Sequence, residues 1–298
     1  MLPNRAYAAY RAGSAIARLL PSPVLGPFGD GAGWVAARAM ASRREMVERH
    51  QLRVRPDLTP AQLNRAVDRV FASYSDYWLE SFRLPGTPAS VLEAGMVTEG
   101  FEHVRSAYDA GTGVITAMPH LGAWEWAAFW LTACEHIKVT TVVEPIEPPE
   151  LAAWFVDLRE QLGMEIVPLG PDSGTRVAKA LGAGRLLSLV CDRDIAGTGI
   201  EVEFFGERTT LPAGPATLAL RSGAPLMAAT CYFDGDGHRG VVRPPIDTTR
   251  QGKLREDVAR VTQLLAYELE ELIRLAPEQW HLLQPNWPSD RALHETSP

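Results

Sequence analysis

The sequence predicts a single α/β domain, with one largely parallel central sheet flanked by helices and a helical extension at its N-terminus. Three observations carry this. Short apolar, β-branched runs such as Val114–Met118 and Val139–Val143 lack the alternation of half-exposed strands, as expected of strands buried on both faces. Each run is followed by a stretch of helical pattern, which is the order that builds a parallel sheet. The 298 residues allow two modest domains, but no repeat, low-complexity tract or linker divides them.

In chain order, residues 6–20 read as a helix mixing Tyr7, Tyr10, Ile16, Leu19 and Leu20 with Arg11 and Arg18. Pro21, Pro23 and Pro27 are expected to break it. Residues 33–53, rich in Ala and Arg, read as a second helical stretch. Thr59-Pro60-Ala61-Gln62 is a capping box with Pro at the first helical position. It opens a long helix through Val67, Val70, Phe71, Tyr74, Tyr77, Trp78 and Phe82. From there strands at 114–118, 139–143, 165–168 and 186–191 alternate with helices at 123–134, 150–162 and 175–181. Segments 202–205, 226–233 and 240–242 are expected to complete the sheet, with a helix at 213–221 among them and a final helix over 254–275. Residues 1–58 form the helical segment and 59–298 the α/β domain.

Composition narrows the function. Apolar residues make up 46% and charged residues 22%, which is globular rather than disordered. The longest charge-free run, residues 110–124, is shorter than the roughly 20 residues of a membrane-spanning helix. Arg5, Arg11 and Arg18 argue against a secretory signal. Cys134, Cys191 and Cys231 show no metal or redox spacing and suit a reducing, cytoplasmic compartment. The net charge of −7 hides an asymmetry: residues 1–55 carry nine Arg against Asp30, Glu45 and Glu48, so +6 sits on a body of −13. That excludes a nucleic-acid binder and suggests an anionic surface met at one end. Two readings of the basic segment fit: helices lying on an anionic bilayer, or a helix hairpin packed on the body with a solvated Arg face.

Common catalytic motifs are missing. There is no Gly-x-Ser-x-Gly elbow, P-loop, His-Glu-x-x-His helix or Cys-x-x-Cys pair. Gly26, Gly29, Gly31 and Gly33 are dense, but no strand precedes them as a dinucleotide loop requires. One segment stands out, Met118-Pro119-His120-Leu121-Gly122-Ala123-Trp124-Glu125-Trp126. His120 follows a buried strand, at the end where α/β sheets place reactive groups, and Glu125 falls in the next helix. A histidine oriented by a carboxylate is a general base. A histidine satisfying backbone groups at a helix start fits the same spacing.

His120-x-x-x-x-Glu125 resembles the His-x4-Asp/Glu motif of lysophospholipid and lipid A acyltransferases. The resemblance extends along nearly the whole chain. Cys191-Asp192-Arg193-Asp194, the run Gly199-Ile200-Glu201-Val202-Glu203-Phe204-Phe205-Gly206 and Pro212-Ala213-Gly214-Pro215-Ala216 are similar to a second region of the lipid A biosynthesis acyltransferase family. Pro277-Glu278-Gln279-Trp280-His281 resembles its closing signature, although Leu-Leu-Gln-Pro-Asn-Trp replaces the usual aromatic and basic run. Val143-Glu144-Pro145 and Arg159-Glu160-x-Leu162-Gly163-Met164-Glu165 bring the chain nearest to the actinobacterial phosphatidylinositol mannoside acyltransferases, in which a peripheral basic helix replaces the lipid A enzymes' transmembrane anchor.

The resemblance implies a glycerolipid acyltransferase-like fold and transfer of palmitate from palmitoyl-CoA to the 6-hydroxyl of a mannose on phosphatidylinositol mannoside. His120 would deprotonate the sugar hydroxyl, which attacks the thioester directly. Glu125 and Glu201 are the candidates to orient His120, and the family pattern favours the Glu201 region. Glu144 and Arg159 suit sugar hydroxyls or a phosphate, or else a surface ion pair. Asp192, Arg193 and Asp194, at the active end of the sheet, are expected to bind substrate or else to form a structural turn, and Glu201 alternatively reads as an edge-strand acid in solvent. Trp124 and Trp126, with Phe129 and Trp130, either wall an acyl tunnel or form ordinary core. Acyl-CoA is a co-substrate, and no cofactor or metal is implied. The protein is expected to be a monomer lying peripherally on the cytoplasmic face of the cell membrane. Two alternatives stand beside this: another glycolipid or lysophospholipid acceptor, or a non-catalytic lipid-binding protein that kept the fold.

Overall fold

The computed structural model of the chain describes residues 5–19, 22–144, 147–195 and 197–290. Leu20 and Pro21 at the expected end of the first helix, and Pro145 of the Val143-Glu144-Pro145 motif, lie outside the described residues.

Three helices come first: α1 (Arg5–Leu19), α2 (Ser22–Ala39) and α3 (Ala41–Val54). Pro27 does not break α2 but sits inside it. Tertiary packing outweighs the local cost, because α2 lies along the long helix α4 (Pro60–Arg83) at very close range. A Cβ on Gly33 would come within 2.6 Å of the Ala72 backbone, and one on Gly29 would overlap the Asp76 carboxylate. The glycine-dense stretch is thus a helix-packing face, continued by the buried Ala37. The expected single stretch over 33–53 is two helices, divided at Met40, whose φ of −115° and ψ of 63° are not helical. At the start of α4, Thr59 N–H donates to Gln62 Oε1 at 2.9 Å and Gln62 N–H donates back to Thr59 Oγ1 at 3.4 Å.

The α/β body follows: α5 (Ala89–Ala94), β1 (Met96–Glu99), α6 (Phe101–Asp109), β2 (Val114–Met118), α7 (Trp124–Ala133), β3 (Val139–Val143), α8 (Pro149–Gln161), β4 (Glu165–Pro168), α9 (Ser173–Gly182) and β5 (Leu186–Val190). The chain continues through β6 (Ile200–Phe204), β7 (Glu207–Leu211), α10 (Gly214–Ser222), β8 (Leu226–Asp234), β9 (Gly237–Val242) and α11 (Leu254–Leu275). Seven strands form the sheet in the order β1-β9-β8-β2-β5-β3-β4, with every neighbouring pair parallel except β8 and β9. Strand residues alternate between its faces. Ile115 and Leu187 pack with Val177, Leu181, Val261 and Leu265 of α9 and α11. Val114 and Leu186 pack with Val104, Trp126 and Trp130 of α6 and α7.

Residues 202–205 do not complete this sheet. β6 and β7 make a separate antiparallel hairpin against α11, where Glu203 N–H donates to Gln263 Oε1 (2.8 Å) and Phe205 N–H to Glu270 Oε1 (2.7 Å). Only alternate residues of β6 are buried, so it is a one-faced ribbon rather than a sheet strand. β1, at the edge and largely exposed, escapes the search for apolar runs.

The basic N-terminal segment packs against α4, and its arginines do not form a simply solvated face. Its arginines are mostly paired with acids: Arg38 and Arg44 with Asp68, Arg49 and Arg53 with Asp290, and Arg55 with Glu278. Leu19, Phe28, Trp34 and Val35 are exposed on α1 and α2, among charged residues such as Asp30 and Arg38. No helix among the described residues is long and apolar enough to cross a membrane.

Candidate active site

The site is assembled by strand register. β2 and β5 are parallel neighbours, and Met118 pairs with Val190 at their C-terminal ends. Two residues past each partner stand His120 and Asp192, so equal overshoot from adjacent strands brings them face to face. His120 Nδ1 lies 2.6 Å from Asp192 Oδ1. An ionised carboxylate only accepts, so Nδ1 carries the proton and Nε2 presents a lone pair. The His120 side chain is 27% exposed, so the ring is reachable from outside.

The loop between β2 and α7 is held from two sides. Gly122 has φ of +65°, and a Cβ there would lie 2.1 Å from the Cys231 carbonyl oxygen, so only glycine fits. Ala123 N–H donates to that carbonyl at 2.7 Å, Gly122 N–H donates to Gln279 O at 3.0 Å, and His281 N–H donates to His120 O at 2.7 Å.

Asp192 is fully buried. Its Oδ2 accepts from the His120 backbone N–H (3.0 Å) and from Trp280 Nε1–H (2.8 Å), while Asn286 Nδ2–H donates to its backbone oxygen (2.9 Å). Burial on its own raises the Asp192 pKa. His120, followed by the Trp280 hydrogen bond, outweighs burial and holds the carboxyl below its usual range. His281 shares a hydrogen bond with Ser73 at 2.9 Å, and its pKa is pushed down to about 3, by burial first and then by His120, so it is neutral. Burial drives the thiols of Cys191 and Cys231 upward, which leaves them protonated and unreactive.

The structure redistributes the expected roles. Glu201 does not reach His120: it lies on β6, its side chain is 68% exposed, and it pairs with Arg208 at 3.2 Å in solvent. It is an edge-strand acid, because the hairpin carrying it stands apart from the sheet. Glu125 does not bond His120 either. Buried in the first turn of α7, it accepts from Arg159 Nε (2.9 Å) and Nη2 and from the Tyr77 hydroxyl (3.2 Å). The Tyr77 ring stacks on Trp124 at 4.1 Å, and Trp124 meets the His120 ring at 5.9 Å. Glu125 and Arg159 therefore fix the wall beside His120.

Asp194 accepts from the backbone N–H groups of Gly197 (3.0 Å) and Gly199 (2.7 Å), so it shapes a turn. Arg193 Nη2 donates to Glu144 at 2.6 Å, joining the ends of β5 and β3, while Arg193 Nε is buried with no partner among the described residues. Trp124 and Trp130 line an apolar cavity of about 50 Å³ between α7 and the sheet, together with Met118, Phe101, Ala128 and Val242. Trp126 lies elsewhere, stacked on His238 at 4.1 Å. Sequence reasoning did not give Trp280, Asn286 or Tyr77 a role at the site. Trp280 stands in the closing signature, which was the one available signal.

A histidine held by a buried acid at the carboxyl end of a parallel sheet, with Trp124 between it and an apolar cavity, is an arrangement that suits an α/β enzyme. The chain belongs to the bacterial lipid A biosynthesis acyltransferase family, whose profile matches residues 3–289, and it is an acyltransferase. A phosphatidylinositol mannoside acyltransferase of Mycolicibacterium smegmatis is 38% identical over 290 residues, covering 94% of this chain and 91% of the relative. A protein of the same name from Mycobacterium tuberculosis is 37% identical over 290 residues, covering 95% and 88%.

Proposed function

We propose that this enzyme transfers a palmitoyl group from palmitoyl-CoA to the 6-hydroxyl of a mannose on phosphatidylinositol mannoside, with His120 as general base. The observation that carries the mechanism is the 2.6 Å contact between His120 Nδ1 and the buried Asp192. His120 Nε2 takes the hydroxyl proton as the sugar oxygen attacks the thioester carbonyl. The C–S bond then breaks, and the CoA thiolate leaves with the proton from the imidazolium. Asp192 stabilises that imidazolium and keeps Nε2 turned outward.

The apolar cavity lined by Met118 and Trp124 supports an apolar acyl donor, with each buried methylene contributing about 0.8 kcal/mol; its volume of about 50 Å³ receives only a small part of the chain. Arg193 and Glu144, paired at the C-terminal ends of β5 and β3, suit sugar hydroxyls. The exposed apolar side chains of α1 and α2 support peripheral docking on a bilayer, with Trp34 at the interface.

The test is CoA release from palmitoyl-CoA with phosphatidylinositol mannoside, with other mannolipids and with lysophospholipids as acceptors. Acylation of the mannolipid alone, at the 6-hydroxyl, is expected. Equal transfer to lysophospholipids overturns the acceptor, and no transfer from any acyl-CoA overturns the donor. Co-sedimentation with anionic vesicles is expected to weaken in Trp34→Ala, and unchanged binding removes the α2 face from the contact.

A further inference from the structure

Of the six arginines between residues 38 and 55, five are tied to carboxylates. Arg43 is the exception: among the described residues, no acid lies within ion-pair distance of it. It is half-buried rather than solvated. Its position on α3 explains this, because it precedes Met46 and Val47 by one turn and His50 by two, on the face that packs inward.

That face leads away from the catalytic pair. His50 lies 5.3 Å from the Trp280 ring and bonds Leu282 O at 2.9 Å, and Val47 packs with Leu283. Two turns further out, about 10 Å along the helix, is Arg43. There Tyr74 packs against the cluster that holds Ala37 and Val47, one turn from Arg43, and Tyr10 and Tyr74 meet the same Trp78 ring at 5.3 and 5.9 Å. The two phenol pKa values, raised by burial, are pulled back by the Arg43 charge. A second route connects the same place to His120. Tyr74 lies 5.4 Å from His281 and stacks with Tyr77 at 6.2 Å; Tyr77 lies on Trp124, which reaches His120. Arg43 thus stands at the far end of an aromatic floor that begins at His120. In sequence it is three residues from Met40, at the edge of the exposed apolar surface that includes Trp34 and Val35.

We infer that Arg43, with the hydroxyls of Tyr10 and Tyr74, binds the phosphodiester of the lipid acceptor. The inference rests on the proposed transfer to a phosphorylated glycolipid. Such a lipid carries its phosphate between acyl tails and sugars. Arg43 occupies the matching position, with an apolar surface on one side and an aromatic floor leading to the base on the other. A guanidinium offers a phosphate two parallel donors, and two phenol hydroxyls add more. A free guanidinium in a segment whose other arginines are neutralised is a reason for anionic lipid to dock here rather than along the whole helix pair.

The test is binding of soluble dibutanoyl phosphatidylinositol, measured by calorimetry, so it does not depend on turnover. Arg43→Gln is expected to weaken binding by about tenfold or more, with partial recovery in Arg43→Lys. CoA binding is expected not to follow. The exposed Arg69→Gln, which removes the same charge elsewhere on the surface, is expected to bind as the parent does. Parent-like binding by Arg43→Gln overturns the inference. So does a loss that falls on CoA instead, or an equal loss in Arg69→Gln. Should Arg43→Gln misfold, Tyr74→Phe and Arg43→Lys carry the same comparison. If the chain acylates no mannolipid, the binding result still decides whether Arg43 holds a lipid phosphate.

Discussion

His120 and His238 each stand against a carboxylate, in two different regions of the molecule. His238 lies within β9, its Nε2 2.7 Å from Glu80 and its ring stacked on Trp126. Its side chain is 7% exposed and its Nδ1 is buried without a partner. The acid has taken the outer nitrogen, and the inner one faces packed protein. In His120 the arrangement is reversed: Asp192 takes Nδ1, and the side chain is 27% exposed, which leaves Nε2 without a protein partner among the described residues. A carboxylate partner alone therefore does not make a base. Position does, because a residue two past the end of a central strand has the neighbouring strand's acid beside it and open space ahead.

The comparison breaks most sharply on substitution of the two histidines. His120→Ala is expected to lower the acyl-transfer rate by about 10²–10⁴-fold with little loss of stability. His238→Ala should do the opposite. It removes the partner of the partly buried Glu80, costs about 1–3 kcal/mol in denaturant unfolding, and leaves the rate per folded molecule within a few-fold. Asp192→Asn comes next, with a rate loss of about 10²-fold or more, since an amide neither selects the Nδ1–H tautomer nor stabilises the imidazolium. It should also flatten the acid limb of stability. A carboxyl with a depressed folded-state pKa contributes stability above its unfolded pKa and loses it as pH falls, so wild type should weaken toward low pH more steeply than the variant.

The two acids first considered for His120 should separate. Glu125→Gln leaves Arg159 buried with a weaker partner, so it should lower both melting temperature and rate, the latter about tenfold through Trp124. Glu201→Gln, in solvent, should change stability by no more than about 0.5 kcal/mol and leave the rate unaltered.

A pH-dependent effect concerns Asp76, whose pKa is raised to about 7 by burial first and then by Asp30 and Glu80. Here the folded state holds the proton more tightly, so stability falls as pH rises from about 4 to about 7. Asp76→Asn should gain on the order of 1 kcal/mol at pH 8 and nothing at pH 4, allowing for solvent screening.

Much of this was legible in the sequence. The strands on either side of the site, the capping box at Thr59 and His120 itself all follow from local pattern, because buried strands and helix starts have local signatures. The partner of His120 did not follow. Asp192 is 72 residues away, and its pairing depends on β5 lying next to β2 although β3 and β4 come between them in the chain. That is a fact of sheet order, which local spacing does not encode. Glu125, close in sequence, drew attention for its nearness, yet helix geometry turns it toward Arg159. The hairpin carrying Glu201 reads like a sheet strand because alternation alone does not say which sheet a strand joins. Pro27 within α2 reflects the same limit, since Gly29 and Gly33 packing on α4 outweighs a local breaker.

The most direct test of the His120–Asp192 pairing is ¹⁵N NMR of the histidine side chains in the wild-type enzyme and in Asp192→Asn. With neutral imidazole, His120 should be protonated at Nδ1 and bare at Nε2, with the Nδ1 proton strongly downfield, and that signature should vanish in Asp192→Asn. A wild-type His120 protonated at Nε2, or a spectrum indifferent to Asp192→Asn, would contradict the assignment of His120 Nε2 as the base.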